Sequence, residues 1–154
     1  MKKNLDLGFN FYVEGSKISK ITIFDSSTFS FNLLGENNLK DHIEQFFEKY
    51  FQGKLISLPL KRKFSPFQQS VYQALEMVLF GSTATHKELA INIGCPKGYR
   101  AVGNSLNKNP FPLAIPCHRV IPSKSSLKEI GGFAFGKRVK AKLLAFEKTL
   151  KKIS

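Results

Sequence analysis

The repeat of apolar residues changes near residue 61, and this change limits the possible folds more than any other feature. Before it, Phe9, Phe11 and Val13 alternate with polar residues, which is typical of a half-buried strand. After it, apolar residues recur three and four positions apart, as they do on one face of a helix. A run of strands followed by a run of helices predicts an α+β fold with a mainly helical carboxyl-terminal part.

The amino-terminal part predicts a small sheet. A turn signal at residues 14–17 (EGSK) follows the first alternating run. Two further extended runs come after it, at residues 18–24 and 29–33. Three short strands in succession with short connections suggest an antiparallel meander.

A helix is predicted after these strands, between residues 39 and 51. Its apolar stripe, which would pack on the sheet, consists of Ile43, Phe46, Phe47 and Tyr50. The basic run at residues 61–63 (KRK) then interrupts the apolar pattern. We place a boundary there, with an α+β domain at residues 1–62 and a second domain at residues 63–154.

The second part opens with two helix-start signals. Ser65 can cap a helix, Pro66 suits its first position and Gln68 can close a capping box. This helix carries Phe67, Val71, Ala74, Leu75 and Val78 on one face, and Phe80 and Gly81 are expected to stop it. Thr85 and Glu88 repeat the capping pattern at the start of the next helix.

Two short helices around Cys95 predict a helix-turn-helix. The first ends near Gly94 and Pro96, and the second runs from about residue 98 to residue 106. The second helix bears Arg100 and is flanked by Lys97 and Lys108, as a DNA-recognition helix requires. An ordinary α-hairpin with a basic face is the alternative. Cys95 itself is expected to be a buried structural thiol.

The charge of this 154-residue chain is concentrated in its second part. The net charge is +13 at pH 7. Residues 1–60 hold seven lysines and seven acidic residues, whereas residues 61–154 hold 17 basic and four acidic ones. Such a local excess makes nucleic acid the leading partner, with an anionic membrane surface and plain solubility as alternatives. Neither a signal peptide nor a membrane span is recognised, so a soluble cytoplasmic protein is expected.

The stretch at residues 109–121 (NPFPLAIPCHRVI) carries the chemistry. Three prolines within it are expected to hold the chain extended and to present Cys117 beside His118. A thiol needs a neighbouring base, cation or helix amino terminus to favour the thiolate, and His118 and Arg119 are candidates. In an extended chain, His118 would reach the sulfur through a water or after a bend. A buried cysteine and a packing histidine are the alternative interpretation.

Four short motifs in this part resemble the O6-alkylguanine-DNA alkyltransferases, also called methylated-DNA–protein-cysteine methyltransferases. They are residues 100–103 (RAVG), 109–110 (NP), 116–120 (PCHRV) and 142–147 (KLLAFE). All four occur in the family's order and nearly at its spacing, and the resemblance covers residues 67–147. It implies an amino-terminal ribonuclease-H-like domain, and a mainly helical carboxyl-terminal domain with a plain or winged helix-turn-helix.

The resemblance implies a role for each matching residue. Cys117 would accept the alkyl group irreversibly and only once, His118 would take the thiol proton through a water, and Glu147 would orient His118. Arg100 would enter the duplex stack from a recognition helix in the minor groove, and Asn109 would tie that helix to the site. Arg119 is predicted as a further DNA contact. Leu106 and the Val120 backbone would line the guanine pocket.

Three positions depart from the family pattern. His86 stands where the family usually has a tyrosine that bonds guanine N3, and an imidazolium there could donate the same bond. Phe133 replaces a pocket tyrosine, and Phe135 stands where many members have glycine. The loop between Cys117 and Phe133 is about three residues longer than usual. We predict no metal, because residues 1–60 contain no cysteine and only one histidine, His42. No cofactor is predicted either, and we expect a monomer that binds double-stranded DNA.

Two other functions use the same features. An alkyltransferase-like module would flip damaged guanine and recruit repair factors without chemistry, but such modules lack the acceptor cysteine that Cys117 would supply. A transcription regulator would use the helix-turn-helix without requiring Cys117, His118 and Glu147 together. Only an alkyltransferase moves a labelled alkyl group from DNA to protein.

Overall fold

The computed structural model describes residues 5–123 and 129–153, and it has the predicted α+β fold. Its strands are β1 (Leu7–Glu14), β2 (Lys17–Asp25), β3 (Ser30–Gly35), β4 (Ala84–Thr85) and β5 (Val120–Ile121). Its helices are α1 (Lys40–Tyr50), α2 (Pro66–Glu76), α3 (His86–Asn92), α4 (Tyr99–Asn107) and α5 (Lys137–Ile153). Among the described residues, no helix is both long and apolar enough to cross a membrane.

The three-stranded sheet has the order β2-β1-β3, so the predicted antiparallel meander is wrong. Strand β1 pairs with β2 in antiparallel fashion, but β3 lies on the other side of β1 and runs parallel to it. The outer edge of β2 is already used by later parts of the chain. There the backbone N–H of Ile18 donates to Pro59 O at 2.8 Å, and that of Ile21 donates to Pro110 O at 2.9 Å.

Helix α1 packs on the sheet through phenylalanine rings, as its apolar stripe predicts. The Phe47 ring lies 5.1 Å from that of Phe9 and 4.9 Å from that of Phe29, measured between centroids. Pairing β3 with β1 brings Phe29 and Phe31 over the same helix face as Phe9. Burial of these rings outweighs the short connection that would favour a meander.

Both predicted capping boxes are present. The Ser65 hydroxyl accepts from Gln68 N at 3.2 Å at the start of α2, and the Thr85 hydroxyl accepts from Glu88 N at 3.1 Å at the start of α3. Helix α2, however, ends at Glu76, before the expected stop at Phe80 and Gly81. The chain leaves the helix there, and the Val78 carbonyl instead accepts a hydrogen bond from Arg119.

Helix α5 joins the two parts of the molecule. Val139 and Leu143 are buried in the core, which runs without interruption from the sheet to the helices. On its other side, Arg138 Nε lies 2.6 Å from Asp25 Oδ2, and Lys142 Nζ bonds both Asp25 and the Asp6 carbonyl. A division into domains at residue 62 stays a prediction.

Candidate active site

The segment before Cys117 folds back on itself, so the prediction of an extended chain is wrong. The Asn109 side chain donates from Nδ2 to Ile115 O at 2.8 Å and accepts from Phe111 N at 3.0 Å. Leu113, at the tip, has a left-handed φ of 76°, which is rare outside glycine and costs on the order of 1–3 kcal/mol. The reversal starts a 3₁₀ turn at Cys117–Arg119, which supplies the bend that His118 needs.

The Cys117 thiol is buried and held in its protonated form. Burial raises its pKa to about 11, although a hydrogen bond from the Asn109 side chain and the charge of Lys140 act in the opposite direction. The thiolate that reacts with an electrophile is therefore scarce at neutral pH. A base must remove the proton as the reaction proceeds.

His118, the residue after Cys117, forms a buried pair with Glu147. His118 Nε2 lies 2.6 Å from Glu147 Oε2, and both side chains are at most 1% exposed. Burial alone would raise the pKa of Glu147, but His118 and Arg119 outweigh it and lower this pKa to about 2. The carboxylate accepts, so Nε2 donates, and Nδ1 is the ring nitrogen that could accept a further proton. Nδ1 is buried and finds no hydrogen-bond partner among the described residues.

The other oxygen of Glu147 binds Arg119. Arg119 Nε lies 2.8 Å from Glu147 Oε1, and Arg119 Nη1 donates to Val78 O at 3.0 Å. The guanidinium is 2% exposed and lies 5.0 Å from the Phe80 ring centroid. Two predictions for Arg119 are therefore wrong. It is too buried to contact DNA, and its charge is paired with Glu147 instead of the Cys117 thiol.

Cys117 opens onto a cavity of about 400 Å³, within the size range of small-molecule sites. The cavity wall contains all the residues that the sequence assigned to a base pocket, namely Leu106, Val120, Phe133 and Phe135, together with His86 and Asn109. The rings of Phe133 and Phe135 meet edge to face with centroids 5.6 Å apart. Part of the longer loop, residues 124–128, lies outside the described residues.

His86 begins α3 and lies at the cavity wall, half-buried. Burial, together with the charge of Lys140, lowers its pKa, and a backbone hydrogen bond with Ile121 only partly offsets this. The imidazolium considered from the sequence is thus disfavoured. A neutral ring can still donate one hydrogen bond to a base in the cavity.

Lys140 is a cavity residue that the sequence analysis missed. It is 3% exposed, and its Nζ donates to Val120 O at 2.6 Å and to Gly132 O at 3.3 Å. Burial lowers its pKa to about 8. The sequence did contain a pattern that predicts the burial of Lys140. Lys140, Leu143 and Glu147 are spaced by three and four residues along α5, so they share its buried face.

Helix α4 connects the cavity to an exposed basic surface. Its Leu106 lines the cavity, whereas Arg100 is exposed on the same helix. Lys87, Lys97 and Lys108 are exposed nearby in the chain. Cys95, in the turn between α3 and α4, is also exposed, so its prediction as a buried thiol is wrong. The turn is held by its backbone, with Cys95 N donating to Ala90 O at 2.9 Å, and the thiol is not needed for packing.

No three histidine, cysteine, aspartate or glutamate side chains in residues 5–123 and 129–153 cluster to hold a metal ion. The prediction that the protein uses no metal stays a prediction. Of the groups described above, the Cys117 thiol lines the cavity, whereas the His118–Glu147 pair lies in the buried interior.

Comparison with known proteins gives one consistent family. Residues 66–149 match the family described as 6-O-methylguanine DNA methyltransferase, DNA binding domain. The methylated-DNA–protein-cysteine methyltransferase of Methanosarcina barkeri is 47% identical over 102 residues, which are 65% of this chain and 63% of that protein. The constitutive one of Bacillus subtilis is 43% identical over 108 residues, 68% of this chain and 64% of that protein. The chain thus spans less than two thirds of these two relatives.

A further relative and two solved structures extend the similarity. A protein of the same name from Saccharolobus islandicus is 40% identical over 119 residues, 73% of this chain and 75% of that protein. The O6-methylguanine methyltransferase of Mycobacterium tuberculosis superposes with a TM-score of 0.69 at 25% identity, covering 93% of each chain. The Mycobacterium tuberculosis OGT in complex with DNA gives a TM-score of 0.70 at 24% identity, covering 93% of this chain and 94% of that one.

Proposed function

Because the chain belongs to the O6-methylguanine-DNA methyltransferase family, we propose that it repairs DNA by moving an alkyl group from guanine O6 to Cys117. The observation that carries this proposal is that Cys117 lies in the wall of a cavity of about 400 Å³, while the following residue, His118, is paired with Glu147 in the buried interior. Each molecule acts once, because a thioether is not reversed by any group in the site. O4-methylthymine is a second substrate of the same chemistry.

The proposed reaction is a displacement at the alkyl carbon. The Cys117 sulfur forms a bond to this carbon while the bond from carbon to O6 breaks, and guanine leaves with the electron pair. The thiol proton passes through a water to Nδ1 of His118. Glu147 keeps the opposite ring nitrogen protonated and stabilises the imidazolium that forms. Its low pKa supports this role, because the carboxylate stays charged throughout the physiological range.

The proposed partner is double-stranded DNA, bound through the minor groove by α4. The alkylated nucleotide leaves the stack and enters the cavity, while Arg100 fills the space it vacates. His86 donates to guanine N3, and Asn109 couples the end of α4 to the turn that bears Cys117. The exposed cations on α3 and α4 support this assignment, because phosphate neutralisation supplies much of the affinity for DNA.

The proposal also covers the oligomeric state, the location, the need for a cofactor and the roles of the two domains. The protein acts as a monomer in the cytoplasm, without metal or cofactor. Residues 63–154 form the domain that carries the reaction, and residues 1–62 form an α+β domain that supports it. The alternative, a damage-binding module without chemistry, shares the helix-turn-helix but gives no role to a buried cysteine next to a histidine base.

One incubation tests the proposal. The protein is mixed with an excess of duplex DNA that carries a single O6-methylguanine labelled in the methyl group, and the protein is then digested. We expect one label per protein molecule, on the peptide that contains Cys117. Tight binding of the duplex with the label left on DNA would instead favour the binding module.

A further inference from the structure

Glu147 receives a third hydrogen bond from an unexpected part of the chain. The Tyr50 hydroxyl, at the end of α1, lies 2.6 Å from Glu147 Oε2. Tyr50 precedes residues 66–149, the region that matches the family. It is also the only residue of the amino-terminal part that the hydrogen bonds of the described residues connect to the proposed catalytic groups.

The three donors hold both oxygens of the carboxylate. Oε2 accepts from Tyr50 and from His118 Nε2, each at 2.6 Å, while Oε1 accepts from Arg119 at 2.8 Å. Rotation of the carboxylate would break all three bonds together. Tyr50 from α1, and His118 and Arg119 from the 3₁₀ turn, are the titratable or charged groups that face Glu147 among the described residues.

We propose that Tyr50 is a positioning residue for alkyl transfer, whose hydroxyl holds Glu147 in the orientation that keeps His118 ready to accept the thiol proton. This inference rests on the proposed function. Tyr50 is not one of the residues that line the cavity, so it acts through Glu147.

The Tyr50 hydroxyl is a permanent donor. The side chain is fully buried, and burial together with the charge of Glu147 raises its pKa well above the ordinary value of 10. A phenol that donates to a carboxylate forms a charge-assisted hydrogen bond, which is stronger than one between neutral groups. Tyr50 therefore draws negative charge from the oxygen that also faces His118.

Loss of this hydroxyl changes how strongly Glu147 attracts the proton of the His118 ring. An Oε2 that His118 no longer shares with Tyr50 attracts the imidazole proton more strongly and favours imidazolium before the reaction starts. An imidazolium has no lone pair with which to accept the Cys117 proton. Alkyl transfer then slows at neutral pH and recovers at higher pH.

The Tyr50 ring is packed independently of its hydroxyl. It stacks on Phe146 with centroids 5.7 Å apart and meets Phe80 at 5.2 Å. Tyr50→Phe removes the donor and keeps these contacts. A control is Tyr12→Phe, which removes a phenol hydroxyl from β1 in the same amino-terminal part of the chain. Tyr12 is half-buried and takes no part in the hydrogen bonds around Glu147.

The experiment measures single-turnover transfer from duplex O6-methylguanine between pH 6 and pH 9. For Tyr50→Phe we expect transfer to be about tenfold slower at pH 7 and the affinity for DNA to be unchanged. The midpoint of the pH–rate profile should shift to higher pH. For Tyr12→Phe we expect the wild-type rate and the wild-type midpoint of the pH–rate profile. In a Glu147→Gln background, Tyr50→Phe should add no further slowing, since the two residues act as one unit.

A spectroscopic readout separates this inference from the proposed function. The Nε2 proton of His118, one of three histidines in the chain, should give a downfield signal that moves in Tyr50→Phe and not in Tyr12→Phe. This signal needs no DNA, so it tests the contact with Glu147 even if the wild type transfers no alkyl group. A wild-type rate and midpoint in Tyr50→Phe would overturn the inference. Equal slowing at every pH would also overturn it, because that result indicates a purely structural role.

Discussion

The ammonium group of Lys140 joins two walls of the cavity, through hydrogen bonds to the carbonyl of Val120 at 2.6 Å and to that of Gly132 at 3.3 Å. Val120 follows the Cys117 turn, and Gly132 precedes Phe133. One buried cation therefore sets the distance between the nucleophile and the aromatic side of the cavity. If the cavity holds a base as proposed, we expect Lys140 to affect how the base is held and not the binding of undamaged DNA.

Lys140→Met tests this relationship with a side chain of similar length and no donor. The two carbonyls lose their partner inside a buried site, so the cavity walls are expected to separate. Transfer should slow by a similar factor for methylated duplex and for the free base, while affinity for undamaged duplex stays constant. Rates for both substrates, with binding measured by fluorescence anisotropy, check this. Slowing confined to the duplex would place Lys140 in DNA binding instead.

Cys117→Ser should abolish alkyl transfer and leave DNA binding nearly intact, because affinity comes from phosphate contacts and the flipped base. Cys95→Ser is the matched control, since Cys95 is the second cysteine and is exposed. Mass spectrometry of the control should show one added alkyl group, on Cys117. Label on Cys95 in the wild type, or transfer by the Cys117 variant, would contradict the assignment of the acceptor.

Arg100→Ala should slow transfer from duplex DNA far more than transfer from the free base. Extrusion of the base costs roughly a few kcal/mol, because the base loses its stacking in the duplex. Without Arg100, no side chain fills the space that the base leaves in the stack. The control is Arg62→Ala, which removes an exposed arginine outside α4 that is paired with Glu76 at 3.4 Å. Single-turnover rates on the two substrates provide the measurement. If both substrates slow equally, Arg100 acts on the cavity or on the fold.

Phe135→Gly should increase inactivation by O6-benzylguanine more than it changes repair of methylated duplex. The Phe135 ring lies in the cavity wall against Phe133 and occupies volume that a benzyl group needs. A methyl group is small, and DNA gains affinity outside the cavity. The measurement is the rate of inactivation by O6-benzylguanine divided by the rate of repair of methylated duplex, in the wild type and in Phe135→Gly. Ready inactivation of the wild type would show that this ring does not narrow the cavity.

Acid should destabilise the protein through Glu147. Its pKa falls from an ordinary 4.5 in the unfolded chain to about 2 in the folded one, so the native state binds this proton more weakly. The resulting stabilisation, on the order of 3 kcal/mol, is fully present above about pH 5 and is lost as pH falls towards 2. Urea unfolding at several pH values should show a shallower acid slope for Glu147→Gln than for the wild type. An exposed substitution, Glu44→Gln, should keep the wild-type slope, and identical slopes for all three proteins would refute the assignment.

Local sequence was enough to predict most of the secondary structure. The caps at Ser65 and Thr85, the turn after Glu14 and the apolar stripe of α1 depend on residues within about four positions of one another. The structure confirms each of them. Short motifs likewise pointed to Cys117, His118 and Glu147, because the chemistry of these side chains and their family resemblance are visible without coordinates.

Contacts between distant residues decided the rest. Strand β3 pairs with β1, where its phenylalanines pack on α1, and the outer edge of β2 pairs instead with Pro59 and Pro110, far along the chain. The sequence predicts Arg119 as an exposed cation, but in the structure it is buried and its charge is paired with that of Glu147. Tyr50 reads as a core aromatic, yet its hydroxyl meets a carboxylate 97 residues away. A buried charge must find its partners in three dimensions, and local sequence patterns do not encode that choice.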